Sequence, residues 1–314
     1  MKHLLLVIIA LVATTAFGQK KNPTPDKRVA ELDAYIQKAV RDWNVPGLAV
    51  AVVQNNNVLL TKGYGTRDMS NSAPVNTETL FACASTTKAM TAVCMGMLVD
   101  EGKIKWDDRV QQYLPEFVLY DSYVTRELRI RDLFIHNSGV GNADFLWALM
   151  DIPADKILEK MRDVEPEYSF RSSFIYQNIF YIAAGEVIRK VSGKRWEDFI
   201  AERIFAPLGM TRTAAMRKLV NNQNMTVPHD RVEGIIQPIG HTKDDAVGPA
   251  GSVWSSIDDM SKWMRCMLDS SKYSGGRLLT ANTWSEMFKP QTLVPRSEFY
   301  PTMTIIKPNW MSYS

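Results

Sequence analysis

The 314-residue chain carries 37 Lys and Arg against 34 Asp and Glu, a formal net charge of +3. So small an excess, with no basic run interleaved with aromatics, gives no electrostatic basis for a nucleic-acid or anionic-membrane partner. Apolar residues at 46% and charged ones at 23% exclude a disordered chain, and the length calls for one large domain or two intimate ones.

Lys2, the apolar run 4–12 and the small residues of Ala16-Phe17-Gly18 read as a secretory signal peptide over residues 1–18, cleaved before Gln19. The run is too short to span a bilayer, so no stable membrane anchor is expected and residues 19–314 are expected in the periplasm or secreted. Val29, Leu32, Ile36 and Val40 recur at helical spacing and predict an amphipathic helix over 27–42. After the Pro46-Gly47 break, residues 48–53 and 58–64 predict an antiparallel hairpin, and 65–78 a polar loop. From 86 to 99 the sequence is apolar on nearly every side and closes at Gly102, which marks a helix packed inside the protein. Further helices are expected at 130–136, 153–162, 178–191, 196–204, 256–268 and 280–288, with a loop-rich stretch over 216–251. Residues 305–314 offer at most one short strand. Because two strands do not make a stable sheet alone, the final sheet strands are expected to be missing from the end of this chain.

Ser85-Thr86-Thr87-Lys88 is the only S-x-x-K in the chain, and it opens the all-apolar helix. Positions three apart share a helix face, so the hydroxyl and the amine can meet. A hydroxyl is a weak nucleophile until a base takes its proton, and a lysine in apolar surroundings has its charged form disfavoured. The same motif also reads as a capping serine followed by an incidental lysine. Its place at the head of an interior helix favours chemistry. Tyr176-Gln177-Asn178 is the only Y-x-N, where a phenol can shuttle a proton and an amide can bind a carbonyl; a buried Tyr beside an Asn helix cap is the structural alternative.

Other chemistries lack their residues. There is no G-x-S-x-G, and Gly63-Tyr64-Gly65 lacks the third glycine of a dinucleotide fingerprint. His229 and His241 lack metal-ligand spacing, so neither a metal nor a cofactor is expected. Cys83, Cys94 and Cys266 are too few for a disulfide framework, and no His stands near Cys83 in sequence to activate a thiol. The tryptophans are read as core packing.

Leu80-Phe81-Ala82-Cys83-Ala84-Ser85-Thr86-Thr87-Lys88, Ile130-Arg131-Asp132-Leu133-Phe134-Ile135-His136-Asn137-Ser138-Gly139, Tyr176-Gln177-Asn178, Pro207-Leu208-Gly209-Met210 and Gly248-Pro249-Ala250-Gly251-Ser252 run in one order along nearly all of the mature chain. As a set they resemble the serine β-lactamase and penicillin-binding-protein superfamily, nearest its class C β-lactamase and esterase-like branch. The resemblance implies an α/β (α+β) fold, an antiparallel sheet flanked by helices plus an all-helical region. It also implies Ser85 as acylated nucleophile, Lys88 as its activating partner, Tyr176 as proton relay and Asn178 as a substrate contact. The family's third motif, K-T-G or H-T-G on a late strand, is absent. Gly240-His241-Thr242-Lys243 resembles it but precedes Ala250-Gly251, with no β-rich run around it, so His241 is read as a loop residue and His136 as structural.

The expected function is therefore a serine hydrolase acting through an acyl-enzyme on a β-lactam, a D-amino-acid peptide or a small ester, inactive or poorly folded as this chain alone. The alternative is a non-catalytic penicillin- or peptidoglycan-binding sensor on the same fold. The expected partner is a small-molecule or peptide substrate; oligomeric state is not readable from sequence.

Overall fold

The computed structural model describes residues 27–296 and 311–313, apart from 151, 222, 242 and 243. The signal-peptide expectation thus lies outside the described residues. Helix α1 (Lys27–Asp42) carries the predicted amphipathic stripe, with Ile36 buried. It is followed by β1 (Gly47–Gln54) and β2 (Asn57–Asp68), an antiparallel hairpin registered from Gly47 opposite Gly65 to Gln54 opposite Asn57, with a bulge at Val52/Val53. The stretch expected as a polar loop instead extends β2 to Asp68 and adds β3 (Ala73–Pro74) beside it. A two-residue strand has no alternation to read, and only its pairing with β2 defines it.

Strand β4 (Leu80–Ala82) leads through a 3₁₀ turn at Ala84–Thr86 into α2 (Thr87–Asp100). The short helices α3 (Ser122–Glu127), α4 (Phe145–Ala148) and α5 (Ala154–Lys160) follow. Then come α6 (Ile179–Ser192), ended by Gly193 at φ +74°, and α7 (Trp196–Ile200), which runs through a π turn into α8 (Ala206–Leu208). The helix predicted over 130–136 is only a 3₁₀ turn, Ile130–Leu133, capped at its start by the Asp132 carboxylate, which accepts from the Arg129 amide, and His136 at φ +57° has already left the helical conformation. The loop-rich region contains a hairpin, β5 (His229–Val232) with β6 (Ile235–Pro238), that alternation did not reveal. The chain continues with β7 (Trp254–Ser256), α9 (Ile257–Leu268), the β8 (Lys272–Tyr273) and β9 (Gly276–Arg277) pair, α10 (Ala281–Met287), β10 (Thr292–Val294) and β11 (Met311–Tyr313).

Among the described residues the strands form one three-stranded sheet, β1-β2-β3, and four two-stranded ones, β4 with β7 and β10 with β11 among them, all antiparallel. Helix α1 packs on β2, and α9 packs on both β1 and β2. Helix α2 lies against α6 and the 3₁₀ segment Asp244–Ala250. Met90, Val93, Met95 and Leu98 of α2 are fully buried, as are Ile179, Phe180, Val187 and Ile188 of α6. The apolar character of α2 on every side thus follows from its place in the interior. This mixed α/β architecture, antiparallel strands with flanking helices, is the fold class expected from the sequence.

Candidate active site

The antiparallel pair β4–β7 carries the chain to Ser85. Its ladder continues into the Cys83 amide, which donates to the Val253 carbonyl at 2.7 Å, while the Val253 amide donates to the buried Thr87 hydroxyl at 3.3 Å. Between these anchors Ala84 holds φ +46°, a left-handed conformation that costs an L-residue energy. The turn leaves Ser85 exposed at the head of α2. One helical turn on, Lys88 is only 5% exposed, among the most buried charged side chains of the described residues.

The Lys88 amine donates to three oxygens: Ser85 Oγ at 3.2 Å, Asn178 Oδ1 at 2.7 Å and the Ala250 carbonyl at 2.8 Å. It also sits 4.8 Å from the centre of the Tyr176 ring and 5.1 Å from that of Tyr181. Burial pulls its pKa down from 10.5 to about 8, against the charge of Asp144, which raises it. At pH 7 roughly a tenth of the amines are therefore neutral and able to accept a proton. The Tyr176 hydroxyl donates to Ser85 Oγ at 2.7 Å, so phenol and amine converge on one oxygen.

Tyr176 is held by its backbone neighbours. Its carbonyl accepts from Asn142 Nδ2 at 3.1 Å, and the Gln177 side-chain amide donates to the Val140 and Gly141 carbonyls. The Gln177 backbone amide donates to His136 Nδ1 at 3.0 Å, and the His136 ring stacks on Tyr176 with centroids 4.6 Å apart. Because Nδ1 accepts, the ring proton resides on Nε2. Burial, with the Lys88 charge adding, drives the His136 pKa down to about 3. It is a neutral prop behind the phenol, in line with the structural role read from sequence. Burial pushes the Cys83 thiol up to about 12, so a thiolate nucleophile beside Ser85 is disfavoured.

A cleft of about 360 Å³ opens over Ser85, with Asn178, Ala250 and Gly251 around its hydroxyl and Trp147, Trp254, Val247, Pro228, Thr226 and His241 in its walls. Asn178 is 9% exposed, and both ends of its amide are engaged, Oδ1 by Lys88 and Nδ2 by Asp144 at 2.9 Å. Two sequence readings are extended here. His241 does lie in a loop, but the β5–β6 hairpin ends two residues before Gly240 and the imidazole reaches the cleft, its ring 5.6 Å from that of Trp254. Trp147 and Trp254 serve as cleft wall as well as packing. Asp144 and the Ala250 carbonyl were missed as partners of the site. A carbonyl has no side-chain signature, and Asp144 stands at no motif spacing from Ser85.

The arrangement can deprotonate an exposed hydroxyl, hold the proton on a nearby amine or phenol, and present the N-terminal end of α2 to developing negative charge.

The Beta-lactamase family model matches residues 32–302 of the chain. An unguisins hydrolase of Aspergillus campestris is 28% identical over 294 residues, 88% of this chain and 53% of its own length. The chain spans about half the length of the curated relatives it matches. The octameric penicillin-binding protein homologue of Pyrococcus abyssi superposes with a TM-score of 0.75 at 22% identity, covering 85% of this chain and 61% of that one. The D-amino acid amidase of Ochrobactrum anthropi gives 0.72 at 23% identity, covering 86% and 76%. These two structures share the fold.

Proposed function

Because the chain belongs to the Beta-lactamase family, we propose that it is a serine hydrolase working through an acyl-enzyme on Ser85. The observation that carries this reading is the convergence of the Lys88 amine and the Tyr176 hydroxyl on Ser85 Oγ, at 3.2 and 2.7 Å, in a cleft open to a ligand. Neutral Lys88, with Tyr176 as relay, takes the Ser85 proton as Oγ bonds to the substrate carbonyl carbon. Charge on the carbonyl oxygen is stabilised at the amide end of α2. The tetrahedral adduct collapses, the bond to the leaving group breaks, and that group departs with the proton held by the amine–phenol pair. Water then adds to the ester, its proton passes to the same pair, and the released Ser85 oxygen regains a proton as the acid product leaves.

Candidate substrates are β-lactams, D-amino-acid peptides and small esters. No Lys, Arg, Asp or Glu lines the cleft among the described residues, which supports an uncharged, apolar or aromatic acyl group against the Trp147 and Trp254 walls. Relatives named as a hydrolase and as an amidase support acyl transfer in general. The basic start and apolar run of residues 1–18 support export, with residues 19–314 as the hydrolase domain.

Labelling with a fluorescent penicillin and with a fluorophosphonate, followed by release kinetics, tests the proposal. The expected result is label on Ser85, lost in Ser85→Ala, with turnover of an aryl ester or a lactam. Persistent label without turnover converts the reading to a sensor, and no label at Ser85 overturns it.

A further inference from the structure

One carboxylate stands behind the site and touches two parts of it. Asp144 Oδ1 accepts from the Trp147 indole N–H at 2.8 Å, and Trp147 is cleft wall. Asp144 Oδ2 accepts from Asn178 Nδ2 at 2.9 Å and from Asn142 Nδ2 at 3.3 Å. The far end of Asn178 holds the Lys88 amine, and the Asn142 amide also holds the Tyr176 carbonyl. A carboxylate accepts from several donors at once, whereas a neutral amide in its place presents one accepting oxygen and a donating nitrogen. Against three N–H donors, only an anion leaves none of them facing another donor.

We infer that Asp144 is a positioning residue that holds the Trp147 wall of the cleft and the Asn178 grip on Lys88 in fixed relation. The inference rests on the hydrolase reading above and adds a determinant of both substrate fit and proton transfer. The surroundings of Lys88 isolate the effect. The amine faces Ser85 on its own turn, Tyr176 from the loop before α6, Asn178 from the residue that opens α6, and Tyr181 from α6 itself. The Ala250 carbonyl meets it from Asp244–Ala250, and neutral His136 lies behind the phenol. Among these described neighbours Asp144 is the carboxylate whose charge acts on the amine, and it favours the ammonium. Removing that charge makes the amine easier to deprotonate while loosening the amide that aims it. The two effects have opposite signs in different observables, which a general loss of packing does not reproduce.

The test compares wild type, Asp144→Asn, Asp144→Glu and Trp147→Phe in aryl-ester hydrolysis across pH, with the reactive fraction counted by fluorophosphonate. In Asp144→Asn, kcat per reactive site is expected to fall about tenfold while the acid limb of kcat moves to lower pH. Asp144→Glu is expected to return the acid limb toward its wild-type position. Trp147→Phe, which removes the indole donor and some of the ring that forms the wall, is expected to raise KM a few-fold with the acid limb unmoved. An acid limb unchanged in Asp144→Asn overturns the inference, as does an unchanged KM in Trp147→Phe. The latter decides the matter if Asp144→Asn does not fold. A wild-type protein that takes no label sinks the hydrolase reading and this one with it; a labelled wild type with unmoved variants sinks this one alone.

Discussion

A lysine amine enclosed by two aromatic rings, one amide and one carbonyl is chemically different from a lysine on a surface. Its pKa near 8 places the loss of its proton within the working range of an enzyme, so hydrolysis is expected to rise with pH through about 8 as the amine becomes neutral. Lys88→Arg keeps the cation and removes the base, since a guanidinium does not deprotonate in this range. The expected loss in kcat is about 10²–10⁴-fold, with no recovery at higher pH, read from pH–rate profiles. His136 gives a prediction about stability. Its folded pKa, near 3, lies below its ordinary 6.5. Between those values the unfolded chain binds the extra proton, so stability is full above about pH 6.5 and falls as pH drops toward 3. His136→Asn keeps an acceptor for the Gln177 amide and cannot titrate. Its denaturant midpoint is expected to decline less steeply over that window than the wild-type midpoint.

Two contacts between elements hold the site in place. Gly185 faces Pro249 across the α6 interface, and a Cβ built on it comes within 2.3 Å of the proline ring. Pro249 precedes Ala250, whose carbonyl meets Lys88. Gly185→Ala is therefore expected to destabilise by about 1–3 kcal/mol and to weaken labelling of Ser85, measured by thermal melting and probe kinetics. The loop that carries Tyr176 is tied to the 3₁₀ turn at 130–133 by Arg171, which donates through two nitrogens to the buried carboxylate of Asp132. Arg171→Met leaves that carboxylate without its cationic partner, with the Arg129 amide still donating to it. A loss of about 2–3 kcal/mol is expected, below the cost in a fully buried pair because Arg171 reaches solvent, with a parallel fall in kcat. Helices α1, α6 and α9 were legible in the sequence because each repeats its apolar pattern over three or more turns, and α2 because it is apolar on nearly every side over the same length. Strands β3, β4 and β7 were not, being two or three residues long and defined by partners far away in the chain. Ser85, Lys88 and Tyr176 were singled out by motif and meet in space. The sequence carried no sign that Asp144 or Trp147 would meet them, since a cleft wall has no fixed spacing from Ser85, and His241 reads there as a loop residue although Gly240-His241-Thr242-Lys243 resembles the third motif.

At the scale of the whole molecule, the site is a product of distant contacts. Tyr176 reaches Ser85 from 91 residues away, and the Ala250 carbonyl reaches Lys88 across 162. Such pairings close late, because large loops must lose their freedom before the contacts repay it. Acquisition of fluorophosphonate reactivity during refolding is therefore expected to lag the recovery of helical circular dichroism, and a coincident return of the two signals would contradict this. On the proposed mechanism, reactivity is conferred by tertiary structure and is absent from any single peptide. A nascent or threaded chain bears Ser85 as an ordinary alcohol, with no lowered amine beside it and no phenol across from it. On the acyl-enzyme reading, the polypeptide stays chemically quiet toward acyl donors while it is unfolded, and Ser85 is activated only once the fold has closed.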